Sequence, residues 1–155
     1  MRELTNFDID HFFRKNLKYG GCLAKDMLYL EPRKYAGLDI KKFYIINMDD
    51  HTGEGTHWVL CSLLNKDIGV YCDSFACPPP KEVLQFMKRY RDTNVMNDNI
   101  IQDVNSTNCG YFMCYVADQL SRGRLLIDIM AGFSPKETEN EKTIVAWAKS
   151  VGLHK

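Results

Sequence analysis

Cys109 stands where a nucleophilic thiol is most easily activated. It follows the polar turn Asn105-Ser106-Thr107-Asn108, opens the apolar-periodic run CGYFMCYVADQLSRG and has Gly110 directly after it. A helix N-terminus offers unpaired N–H groups and the positive end of a dipole, both of which favour thiolate over thiol. Gly110 is expected to let a substrate backbone come close. A thiol that attacks a carbonyl also needs a base, usually a histidine oriented by a third polar group. Of the four histidines, His154 lies near the end of the sequence, His11 in an expected surface helix and His51 in a polar loop. His57 begins a strand-like run directly after the glycine-bearing stretch DDHTGEGT, with Trp58 beside it as expected core packing that also shields the ring.

Two further polar residues could complete such a centre. Asp73 follows His57 by sixteen positions and ends the next strand-like run. If the two runs pair as a hairpin, both residues lie at one edge of the sheet, where the carboxylate can accept the imidazole N–H and fix its tautomer. The plainer reading makes Asp73 a strand-terminating turn residue with Ser74. Gln102, seven positions before Cys109, could donate its amide to the same oxyanion as the Cys109 N–H. It could equally face solvent.

The elements that would position these residues follow from periodicity. Phe7, Ile9, Phe12, Phe13 and Leu17 approximate a helical stripe from Asn6, a candidate N-cap, to about Tyr19, with Gly20-Gly21 as the stop. Residues 22–42 read mostly as loop. Strand composition appears in Phe43–Met48, in HWVLCSLL and, after the turn Asn65-Lys66-Asp67, in IGVYCD. Pro79 to Arg91 reads as a helix with proline in its first turn. DTNVMND reads as loop, NIIQDV as a strand, 109 to Gly123 as a largely buried helix and Lys136 to Val151 as a last helix. This order predicts an α+β domain, a mixed sheet packed between helices.

Composition bounds the function. The 155 residues are 45% hydrophobic and 26% charged, which excludes disorder and fibrous folds and fits one domain over 1–155. Twenty basic and twenty acidic residues give zero net charge, so no global field draws the chain to nucleic acid or an anionic membrane. The beginning, MRELTNFDIDHFF, has no apolar signal core, and no apolar run is long enough to span a bilayer. The six cysteines are therefore expected to be free thiols in a reducing compartment.

In order and spacing, GTHWVL, VYCDSF and QDVNSTNCGYF resemble the adenain-type viral cysteine proteases and, more distantly, the ubiquitin-like-protein-specific (sentrin-specific) proteases. The resemblance covers roughly residues 43–122. It implies a papain-like cysteine protease core with His57 as general base, Asp73 as orienting acid, Cys109 as nucleophile and Gln102 with the Cys109 N–H as oxyanion hole. The step from Gln102 to Cys109 and the NSTNCG context resemble adenain, whereas Asp73-Ser74 resembles the sentrin-specific branch. The short chain favours the viral branch, found in adenoviruses, virophages and related DNA transposons. It implies a monomeric endopeptidase that processes capsid or other structural precursors near glycine, at the site of assembly in the host cytoplasm and in the virion. Adenain is basic and uses DNA and a short peptide as activators; this chain is neutral, and no cofactor is expected. The alternative is an isopeptidase acting on a ubiquitin-like modifier.

Two rivals belong to other classes. The pairs Cys72/Cys77 and Cys109/Cys114 have spacing suggestive of zinc. On a helix, however, Cys109 and Cys114 sit about 140° apart in projection, the wrong geometry for one ion, and no metal is expected. A catalytically dead binding module would keep the cleft without needing all four polar positions.

Overall fold

The computed structural model describes residues 1–31, 40–53 and 55–155. Helix α1 (Asn6–Phe12) is capped by Thr5, not Asn6: Thr5 Oγ1 accepts from the Asp8 N–H, and the Asp8 carboxylate accepts from the Thr5 N–H. This reciprocal capping box satisfies two donors that a bare helix end would leave open. The helix is shorter than its apolar stripe. Beyond it the Asn16 side chain accepts from the Lys18 N–H and turns the chain into strand β1 (Tyr19–Ala24).

Strand β1 corrects the reading of Gly20-Gly21 as a helix stop and of the following residues as loop. A Cβ on Gly20 would lie 2.3 Å from the Tyr44 ring, and Gly21 has φ +143°, so the two glycines serve close packing and a register shift. A 3-10 helix (Lys25–Leu30) follows. The rest of the expected loop, 32–39, lies outside the described residues, as does Glu54 of the polar stretch.

Strands β2 (Phe43–Asn47), β3 (Trp58–Ser62) and β4 (Ile68–Cys72) form an antiparallel set. Asn65 Oδ1 accepts from the Asp67 and Ile68 N–H groups in the turn that joins β3 to β4, which is the expected hairpin. Helix α2 (Lys81–Tyr90) has Pro80 at its N-cap, close to the expected bounds. The fifth strand is β5 (Thr93–Met96), pairing parallel with β4. It lies in the segment read as loop, while NIIQDV, read as a strand, is a loop with Ile101 buried and Ile100 exposed. Helices α3 (Cys109–Ser121), α4 (Leu126–Ala131) and α5 (Glu137–Ser150) complete the chain, and α4 was not anticipated.

The sheet order is β1-β2-β3-β4-β5, with parallel pairs at both ends and antiparallel pairs between them. Alternation divides the core into two layers. Phe43, Ile45, Leu60 and Cys72 pack with α1, α3 and α5, whereas Tyr44, Ile46, Val59 and Tyr71 pack with Val83, Phe86 and Met87 of α2. The expected α+β architecture, a mixed sheet between helices, is the one observed. Arg91, just past α2, donates to the carbonyls of Asn65 and Leu63 in the hairpin and of Ile40, each at 2.7 Å. It ties the β3–β4 end of the sheet to α2 and so steadies the strands that carry the candidate site.

Candidate active site

The β3–β4 register sets Leu60 opposite Cys72, so the residue before β3 and the residue after β4 share one end of the sheet. Those residues are His57 and Asp73. His57 Nε2 donates to Asp73 Oδ1 at 2.8 Å; the imidazole side chain is 18% exposed and the carboxylate 2%. A reactant can therefore reach the ring, while the acid stays behind it. Asp73 Oδ1 also accepts from the Phe75 N–H at 2.9 Å. The Phe75 ring stacks on the imidazole with centroids 5.1 Å apart. Phe75 thus covers the ring face, whereas Trp58 packs toward Gly110 and donates its indole N–H to the Leu4 carbonyl.

The Asp73 peptide is itself clamped. Asn97, 3% exposed, accepts from the Asp73 N–H at 3.0 Å and donates to the Asp73 carbonyl at 2.7 Å. No motif marks Asn97 in the sequence, since its role depends on the unexpected strand β5 that precedes it.

Cys109 is the first residue of α3, as its sequence context suggests, and is half-buried beside His57. With Nε2 committed to Asp73, Nδ1 is the ring nitrogen left for the thiol. Burial lowers the His57 pKa, but the hydrogen bonds and charges of Asp73 and Cys109 outweigh it and raise the value to about 9. The imidazole is therefore held protonated at neutral pH, the state that suits a thiolate partner. Burial drives the Cys22, Cys61, Cys72 and Cys114 thiols upward instead, Cys61 to about 12, which keeps those four as inert thiols.

The first turn of α3 has no side-chain cap. Asn108 occupies the N-cap position, but its amide donates away to Glu141 Oε2 at 3.0 Å. The N–H groups at that end of the helix are left available to negative charge at Cys109. Gly110 departs from expectation: it is buried, and a Cβ there would meet Trp58 at 3.1 Å and Leu4 at 3.2 Å. It lets the helix pack closely and does not make room for substrate.

Gln102 lies in a loop and is 1% exposed, so neither the expected strand nor the solvent-facing alternative applies. Ser74 Oγ donates to its Oε1 at 2.5 Å, and Gln102 Nε2 donates to the Ser106 carbonyl at 2.9 Å. Helix α5 braces this loop from the other side. Asn140 donates to the Ile101 carbonyl, and Glu141 accepts both the Asp103 N–H and the Asn108 amide. Neither α5 residue stood out in the sequence, because a polar pair on a largely solvated helix carries no motif.

His57, Gln102 and Cys109 line one cleft of about 650 Å³, with Trp58, Phe75 and Ser106 among its other walls. His51 also borders it but is engaged with Asp26; His11 and His154 are exposed. Among the described residues, no group of three or more His, Cys, Asp or Glu could hold a metal ion. The arrangement supplies a thiol, a protonated imidazole fixed by a buried carboxylate, and nearby amide donors. Those are the components of acyl transfer through sulfur.

No protein-family model and no curated protein matches the chain. Solved structures do. The selenomethionine form of ASFV pS273R protease aligns over 92% of this chain and 66% of its own, with 17% identity and a TM-score of 0.59. A second pS273R protease structure aligns over 79% and 59%, with 18% identity and a TM-score of 0.57. The C-terminal Ulp1 protease domain, solved in complex with Smt3, the yeast ortholog of SUMO, aligns over 98% of this chain and 79% of its own, with 17% identity and a TM-score of 0.51. The chain spans less than two thirds of the length of either pS273R chain. The sheet and its helices have the fold shared by these proteases.

Proposed function

We propose that this chain is a cysteine endopeptidase of the viral maturation type, in which residues 1–155 act as one protease domain on capsid or other structural precursors near glycine. The observation that carries the reading is the convergence of Cys109, His57 and Gln102 on one cleft, with Asp73 bonded to the imidazole from behind. The adenain-like step from Gln102 to Cys109 and the likeness in fold to ASFV pS273R protease support the viral branch, of adenovirus or virophage type.

Cys109 is the nucleophile and attacks as a thiolate beside the His57 imidazolium, a pair that either stands beforehand or forms by proton exchange as substrate binds. Its sulfur bonds to the scissile carbonyl carbon, and the carbonyl oxygen becomes an oxyanion that the Cys109 N–H and the Gln102 amide stabilise. The C–N bond breaks as His57 gives its proton to the leaving amine. Asp73 holds the imidazole in orientation throughout. Neutral His57 then takes a proton from water, whose oxygen bonds to the thioester carbon, and the C–S bond breaks. One water is consumed, and Cys109 returns as thiolate beside the imidazolium.

A second reading, removal of a ubiquitin-like modifier, is favoured by the likeness to the Ulp1 domain over nearly the whole chain. Both reactions use the same chemistry, so substrates separate them. Capsid precursor from an adenovirus or virophage and a SUMO fusion are incubated with wild type and with Cys109→Ala. Cleavage of the precursor by wild type alone supports the endopeptidase. Cleavage of the fusion alone moves the function to the second reading.

A further inference from the structure

We infer that Ser74 is a positioning residue that sets which end of the Gln102 amide faces the oxyanion, an inference that rests on the proteolytic reading. A glutamine amide presents two donors at one end and an acceptor at the other, and a reversal would put the acceptor where the donor is needed. Gln102 is held at both ends. Its Nε2 must face the Ser106 carbonyl, which can only accept, at 2.9 Å, with the longer 3.3 Å contact to the Ser106 hydroxyl oxygen as the one an oxyanion would displace, and its Oε1 receives the Ser74 hydroxyl proton at 2.5 Å. The hydroxyl has one proton and spends it there. Ser74 is fully buried and Gln102 1% exposed, so water does not replace this bond.

Ser74 grips the same residue through its backbone. Its carbonyl accepts the Ile101 N–H at 2.9 Å and the Gln102 N–H at 3.3 Å. Immediately before it, Asp73 receives His57 Nε2. One dipeptide, Asp73-Ser74, therefore orients the imidazole with its first side chain and the oxyanion donor with its second. The turn that allows this continues into Ala76, whose φ of +57° lies in the left-handed region and whose N–H returns to the Asp73 carbonyl. A residue at this corner that merely ended the strand would need neither the buried hydroxyl nor its link to Gln102.

The test is a double-mutant cycle on a fluorogenic peptide, acetyl-Leu-Ala-Gly-Gly-aminomethylcoumarin, with Cys109→Ala as the blank. Losing one oxyanion donor costs about 100-fold or more in kcat, and disordering that donor is expected to cost about tenfold. Ser74→Ala should lower kcat about tenfold with KM within twofold, and should change kcat less than twofold when added to Gln102→Ala. Ser74→Cys, nearly isosteric with a weaker donor, should fall between wild type and Ser74→Ala, and it keeps the test open if the alanine variant does not fold. Side-chain amide NMR signals of Gln102, read without substrate, should shift in both Ser74 variants. A tenfold loss that persists in the Gln102→Ala background overturns the inference while leaving the protease standing. Absence of Cys109-dependent cleavage by wild type takes down both.

Discussion

At the residue scale the site turns on one titration. His57 gains protons relative to its ordinary pKa of 6.5 because Asp73 and Cys109 together outweigh burial, giving a folded value of about 9. Its stabilising contribution is therefore fully present below about 6.5 and is lost as pH rises through about 9. In the proposed mechanism the same proton is the one delivered to the leaving amine, so kcat/KM should fall on an alkaline limb centred near pH 9. A limb centred near 6.5 would contradict the coupling. In Cys109→Ala the sulfur's share disappears while that of Asp73 remains, and an NMR titration should find His57 below 9. In the proposed mechanism Asp73 orients the imidazole and does not react. Asp73→Asn should thus retain measurable turnover, about 10⁴-fold reduced in kcat, whereas removing the nucleophile should leave none attributable to the thiol.

At the element scale, the loop from Ile101 to Asn108 is positioned by α5. Glu141 joins its two ends by accepting the Asp103 N–H at 3.2 Å and the Asn108 amide at 3.0 Å. Glu141→Ala leaves both donors without that partner and releases the Asn108 side chain to cap α3. The expected result is about a tenfold loss in kcat/KM with helical circular dichroism preserved and about 1 kcal/mol off stability in urea. Unchanged kinetics would show that the brace is irrelevant. This scale also explains what the sequence could disclose. The β3–β4 hairpin and the start of α3 were legible because a local turn, a local alternation and a polar-to-apolar boundary encode them. Those three features carry His57, Asp73 and Cys109. Strands β1 and β5 were not legible, since a glycine pair and four mostly exposed residues become strands only through parallel pairing with β2 and β4. Gln102 lies in a loop where the sequence reads a strand, because the β-branched run around it has no partner strand. Gly110 misled for a related reason: a close approach was foreseen, but the partner is Trp58 and Leu4.

For the whole molecule, a zero formal charge sets this chain apart from a protease that relies on a basic surface to find DNA. Duplex DNA added at low salt should leave kcat/KM within about twofold. A large activation that salt abolishes would reveal a local basic path that net charge conceals. In the proposed mechanism one thiol among six is activated by its place in the fold, and competitive alkylation reads that activation out. Cys77 is exposed and Cys109 half-buried, so accessibility alone favours Cys77. Under limiting iodoacetamide at pH 7, with labelled peptides resolved by mass, Cys109 should react first, and His57→Ala should slow it without affecting Cys77. Faster labelling of Cys77, with a Cys109 rate indifferent to His57, would contradict the account.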